Sequence, residues 1–237
     1  GDVYWYEQDM LEDYLADRFA GSKDFAPKVA AMADERIAAL PPKLHGDYDE
    51  NRFDRQKWAT VRLKTMLTLE APPEELVAYA EGNSLLDIAD ALMMVAASYT
   101  ARRRKREAAE LLRAHLNART LYRSIRKDKT PKRPIDHLLE IAADAYSQAE
   151  LEELYLWLLS QDPSRDTTAS DIAGWYDALH ALCGEDGWPM VRKSTLEAMP
   201  RSTAHTCLAH EGALDELYES IMANGDFDLM RFEELLS

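Results

Sequence analysis

The stretch SLLDIADALMMVAASY, residues 84–99, decides the fold class of this chain. Apolar side chains recur in it at every third or fourth position, a spacing that places them on one face of an α-helix. These residues are Leu85, Ile88, Ala89, Leu92, Val95, Ala96 and Tyr99. Ser84 precedes them, and Ser is a favoured helix N-cap, so we predict a helix that begins at Ser84.

The same helical spacing continues in both directions along the chain. The ten prolines and nine glycines lie mostly between the apolar-periodic stretches, where they end one helix and precede the next. No stretch shows a convincing alternation of apolar and polar residues, which is the pattern of a half-buried strand. We therefore predict an all-α fold of about 11–13 antiparallel-paired helices.

Three windows in the C-terminal part each predict a helix, a short turn and a second helix. They are 134–161, 172–199 and 210–237, and their offset of 38 residues aligns Leu138 with Tyr176 and then with Leu214. A period of 20–50 residues is typical of helical repeats. The windows resemble α-helical repeat proteins of the HEAT and tetratricopeptide kind, although the tetratricopeptide sequence motif itself is not met. This resemblance implies a short right-handed α-α superhelix with a concave binding face.

These patterns predict three parts. Residues 1–83 form an N-terminal helical part, residues 84–133 form a helical segment with a strongly basic run at 102–133, and residues 134–237 hold the three helix-pair units. One continuous domain is the alternative, and 237 residues are enough for either arrangement. Because the chain begins with Gly1 and not with Met, the sequence also leaves open a segment upstream.

The composition indicates a globular protein. Hydrophobic residues make up 46% and charged residues 30%, and the net charge of −15 disfavours a surface that binds nucleic acid or an anionic membrane as a whole. No apolar run approaches the length of a membrane span, so no membrane partner is expected. Two cysteines cannot form a disulfide framework, which favours the reducing cytoplasm.

The basic run at 102–133 is the clearest departure from the acidic composition, with thirteen Lys and Arg residues against three acids. Such clustering is what phosphate binding needs, because each neutralised phosphate releases counterions. The alternatives are pairing with acidic helices of the same chain and binding to an acidic protein. The candidate residues for nucleic acid or a partner are Arg102, Arg103, Arg106, Arg113, Arg119, Arg123, Arg126 and Lys127.

Two pairs of histidine and cysteine form the second candidate site. His180 and Cys183 are three residues apart on one predicted helix, and Cys207 and His210 are three residues apart on another. Two such pairs could close a tetrahedral zinc site, although their spacing is not that of a zinc finger. The alternative is that Cys183 continues the apolar core stripe as a small hydrophobe. A nucleophilic Cys183 with His180 as its base has only weak support.

The sequence contains no dinucleotide-binding, P-loop, zinc-protease or nucleophile-elbow motif. We therefore predict a non-catalytic helical-repeat scaffold that binds another protein, with no cofactor. The first alternative is a nucleic-acid- or phosphate-binding protein that uses the basic run, and the second is a zinc-containing helical protein. The apolar residues at 229–236 further predict self-association through the C-terminal helix.

Overall fold

A computed structural model describes residues 14–41, 51–116, 133–163 and 167–223. Within these ranges every regular element is a helix and no residue lies in a strand, which confirms the predicted all-α class. The chain forms two compact units, Gly1–Ile141 and Ala142–Ser237. No helix in the described ranges is both long enough and apolar enough to cross a membrane.

In the described part of the first unit, a helical stretch, 14–19, is followed by five complete helices. They are α1 (Ala26–Ala39), α2 (Arg52–Thr68), α3 (Pro73–Gly82), α4 (Ala89–Ala101) and α5 (Lys105–His115). Helices that follow one another in sequence pack together throughout α1–α5, and α2 also contacts α4. Proline lies in the first turn of α1 and of α3, where its missing N–H costs no hydrogen bond.

One apolar cluster joins the stretch 14–19 to α1 and α2. Its buried members are Ala16, Ala20, Val29, Ala33, Trp58 and Val61. The small alanines allow the helices to approach closely, and the Trp58 ring fills the remaining space. Ion pairs at the edge of the cluster join Asp17 to Lys64 and Asp34 to Arg62.

Helices α2, α3 and α4 end in the same left-handed turn. The residues just past their C-caps, Glu70, Ser84 and Arg103, have φ values of 61°, 55° and 62°. After α3, the Leu85 amide donates to the Ala80 carbonyl oxygen at 2.8 Å, which is the bond of a Schellman motif. Ser84 therefore belongs to the end of α3. The prediction that it begins the next helix is wrong, because residues 85–88 form a turn and α4 begins at Ala89.

In its described residues, the second unit contains the end of α6 (Pro134–Ala145), most of which belongs to the first unit, and four further helices. They are α7 (Gln148–Ser160), α8 (Ala169–Ala198), α9 (Arg201–Glu211) and α10 (Leu214–Met222). Helix α8 packs against α7 and α9, and α9 packs against α10. Capping boxes at Ser147 and Thr168 fix where α7 and α8 begin.

Helix α8 is interrupted at Gly184, which has φ 68° and ψ 167°. This backbone conformation is open almost only to glycine, so the residue type and the interruption belong together. The Tyr176 and Trp188 rings lie on either side of the interruption and meet edge to face at 4.9 Å. The three-part division, the 38-residue repeat and the superhelix stay predictions.

Candidate functional site

An open groove of about 570 Å³ lies between α2 and α4 in the first unit. Its apolar lining comes from Leu67 on α2 and from Met94, Ala97 and Ala101 on α4. Ser98, Glu70 and Arg102 complete the lining. The groove is therefore apolar along its length and carries its charged groups at one end.

The groove exists because α4 is apolar on two faces. Leu92, Val95 and Ala96 are fully buried on the inner face, as the sequence predicts. On the outer face, Ala97 and Ala101 are exposed and Met94 is half-buried. A helix that is apolar all round is usually covered on all sides, whereas the apolar outer face of α4 is accessible. The apolar spacing in the sequence predicts the inner stripe only. The signal for the outer face is the presence of small residues and Met at positions where a solvent-facing helix carries charges.

Arg102 closes one end of the groove by binding backbone. Its guanidinium donates to the carbonyl oxygens of Glu70 and Ala71, each at 3.0 Å, and to that of Ser98 at 3.2 Å. These carbonyls lie at the C-terminal ends of α2 and α4, where helix carbonyls lack partners within the helix. Arg102, a predicted nucleic-acid contact, thus holds two helix ends together.

Lys23 also lies at the charged end of the groove, beside Glu70. The Lys23 ammonium pairs with the Glu70 carboxylate, and this hydrogen bond, together with the charges of Lys23 and Arg102, lowers the pKa of Glu70. Arg103 is exposed and follows directly on Arg102. The Glu70 carboxylate therefore lies beside two cations, Lys23 and Arg102.

Farther along the basic run, the described arginines mostly pair with acids of the same unit. Arg104 donates to Glu107 at 2.9 Å and to Glu74 at 2.5 Å, and its guanidinium lies 4.8 Å from the centre of the Tyr99 ring. Arg106 pairs with Glu110 at 3.1 Å.

The other predicted contacts of the basic run divide between described and undescribed residues. Arg113 is half-buried on α5. Arg119, Arg123, Arg126 and Lys127 lie outside the described residues, so their part of the prediction stays a prediction.

The four predicted zinc ligands are engaged in separate contacts. The His210 Nε2 atom lies 2.9 Å from an Asp177 carboxylate oxygen. The Cys207 thiol is fully buried 3.8 Å from the Met199 sulfur, and burial raises its pKa to about 12.

On α8, the His180 ring stacks on Trp188 with 4.6 Å between centroids, and burial raises the pKa of the half-buried Cys183. Among the residues that the structure describes, no group of three or more His, Cys, Asp and Glu side chains could hold a metal ion. The structure therefore does not assemble the predicted zinc set.

A polar cluster around Glu211 was not predicted. The Glu211 carboxylate accepts hydrogen bonds from the Tyr176 hydroxyl at 2.8 Å and from the Arg192 guanidinium at 2.7–3.1 Å. Arg192 also binds Glu216 at 3.1 Å, so the cluster joins both halves of α8 to α9 and α10.

Burial in this cluster acts to raise the pKa of Glu211, but the hydrogen bonds from Arg192 and Tyr176 outweigh it, and the net shift is downward. Burial is the main cause that raises the pKa of Tyr176, and the hydrogen bond to Glu211 raises it further. Every charged member of the cluster binds an opposite charge, so its arrangement is suited to fixing the bend in α8.

Helix α10 carries an exposed apolar stripe. Leu214, Tyr218 and Met222 follow one another at four-residue intervals and are each about half exposed, while Leu217 and Ile221 on the opposite side are buried. The residues predicted to mediate self-association, Leu229, Met230, Phe232, Leu235 and Leu236, lie outside the described residues. The self-association prediction therefore stays a prediction.

No protein-family model matches the chain, and neither a curated protein nor a solved structure matches it.

Proposed function

We propose that this chain is a non-catalytic helical-repeat scaffold of the cytoplasm that binds another protein, and that the groove between α2 and α4 is the binding surface. The observation that carries the proposal is the apolar outer face of α4, where Met94, Ala97 and Ala101 line an open groove. Apolar surface that a fold leaves accessible beside a groove is typical of protein-interaction sites.

The polar side chains around the groove support a binding function over a catalytic one. Arg102 is held by three carbonyl oxygens and Glu70 by Lys23, so the fixed polar groups at the groove already have partners within the fold. Such groups position the groove walls and contribute charge. They are not arranged as a nucleophile with a base beside it.

The spacing of helix ends supports the repeat part of the proposal. Helix α6 ends at Ala145, α8 is interrupted at Gly184, and α10 ends at Met222. These breaks recur at intervals close to the 38 residues found in the sequence. Helix α9 is the departure from a simple repeat, since nothing in the aligned windows corresponds to it.

Photo-crosslinking in living cells tests the proposed binding surface. A photoreactive amino acid at position 97, in the groove, is compared with the same amino acid at position 78, which is an exposed alanine of α3 outside the groove lining. We expect a discrete crosslinked protein from position 97 and none from position 78. Equal crosslinking from both positions, or none from position 97, would contradict the proposal.

A further inference from the structure

We infer that the partner segment is an amphipathic helix that lies along α4, with its apolar face in the groove and acidic residues at the end that meets Arg102 and Arg103. This inference rests on the proposed function and names the chemistry of the partner at that same surface. It follows from the shape of the groove, the residues that line it and the distribution of charge along α4.

The groove has the length and shape for a helix. Its α4 wall runs from Met94 to Ala101, a rise of about 10 Å, which is about two helical turns. Ala97 and Ala101 are the smallest side chains that could line this wall apart from glycine, and they let a second helix axis approach to about 8 Å, the close end of the packing range. In the described part of the chain there is no strand, so a partner cannot bind by adding to a sheet edge there.

The apolar lining determines what the partner presents. Leu67 and Met94 are half-buried on opposite walls and leave room for side chains between them. Methionine adapts its shape to the residue it meets, which suits a surface that packs against a separate chain. A partner helix would fill this space with apolar residues at positions i, i+4 and i+7.

The charges at the two ends of α4 determine which way the partner helix is oriented along it. At the end of α4, Arg102 and Arg103 are both exposed, while Lys23 and Glu70 neutralise each other. At its beginning, Asp87 and Asp90 are exposed. The exposed surface along α4 therefore changes from negative to positive, over about 18 Å between positions 90 and 102. In a chain of net charge −15, this positive end is a local exception that would select and orient an acidic partner end.

A phage-displayed library of random 16-residue peptides tests the inference with purified protein. The library is selected on the wild type, and the enriched peptides are then measured on three variants whose helix content is first checked by circular dichroism. Ala97→Glu blocks the groove, Ala78→Glu adds the same charge outside it, and Arg103→Gln removes a cation from its positive end.

We expect enriched peptides with apolar residues at i, i+4 and i+7 and with Asp or Glu clustered at one end. Their affinity should fall at least tenfold on Ala97→Glu, stay unchanged on Ala78→Glu and fall about two- to fivefold on Arg103→Gln, as for an exposed ion pair.

The outcomes separate the inference from the proposed function. Groove-dependent peptides that lack the acidic end, or that bind Arg103→Gln as well as the wild type, would overturn the inference and leave the proposed function standing. Peptides whose binding is the same on Ala97→Glu and Ala78→Glu, or no enrichment at all, would overturn both.

Discussion

Replacing Gly184 with Ala tests whether the bend in α8 is built into the backbone. At φ 68° and ψ 167°, an alanine costs about 1–3 kcal/mol in local strain. The lower conformational freedom of alanine in the unfolded chain offsets about 0.4–1 kcal/mol of this cost. No atom lies within 4 Å of the added Cβ, so the cost arises from the backbone and not from a clash. We expect a net loss of about 1–2 kcal/mol in the free energy of unfolding.

Gly174 provides a matched control in the same helix. It also has no atom within 4 Å of an added Cβ, but it is not among the residues with positive φ. Gly174→Ala should therefore gain about 1 kcal/mol from helix propensity. The two variants should differ by about 2–3 kcal/mol, or about 1 M in the urea midpoint if the slope is about 2–3 kcal/mol/M.

Urea denaturation followed by tryptophan fluorescence measures this difference, because Trp175 and Trp188 are buried on either side of Gly184. If Gly184→Ala is as stable as Gly174→Ala, the bend is not a backbone requirement. The account of Gly184 as the cause of the interruption would then be refuted.

Three further predictions concern single side chains of the second unit. Glu211→Gln should lower the free energy of unfolding by about 2 kcal/mol at neutral pH, because it weakens a partly buried ion pair. Since the pKa of Glu211 is lowered in the folded protein, the wild type loses this advantage as the pH falls below about 4. A stability difference between wild type and variant that is the same at pH 7 and pH 3 would contradict the prediction. In the native protein at pH 8, a thiol reagent should modify Cys183 first and leave Cys207 unreacted until urea unfolds the chain. The reason is that Cys207 is fully buried and has a pKa of about 12. Equal reaction rates for the two thiols would contradict this prediction. If the protein self-associates, Tyr218→Glu should lower the mass measured by light scattering at high concentration, whereas an unchanged oligomer would exclude the exposed stripe of α10 from the interface.

The helical class was predictable because periodicity reports which faces are buried. The inner face of α4 shows this, since Leu92, Val95 and Ala96 are all fully buried as predicted. The start of that helix was not predictable from Ser84. A serine after a break can cap the next helix or close the previous one, and the choice depends on whether Leu85 and Leu86 enter the core.

The sites were less predictable than the fold because they depend on contacts between residues distant in sequence. A cluster of arginines has the same sequence pattern whether it faces phosphate or its own fold, and the carbonyl oxygens bound by Arg102 lie about 30 residues earlier in the chain. The zinc site was predicted only from the local spacing of two histidine and cysteine pairs. Spacing could not show that His210 would meet Asp177 or that the Cys207 thiol would pack on Met199.

The most direct test of the central claim is affinity purification of the tagged protein from the cells that make it, with and without nuclease. The wild type is compared with Ala97→Glu and Ala78→Glu, and the retained proteins are identified by mass spectrometry. We predict one stoichiometric protein that survives nuclease, stays bound to Ala78→Glu and is lost from Ala97→Glu. A partner that nuclease removes, or one that binds Ala97→Glu as well as the wild type, would contradict the claim that this groove binds a protein.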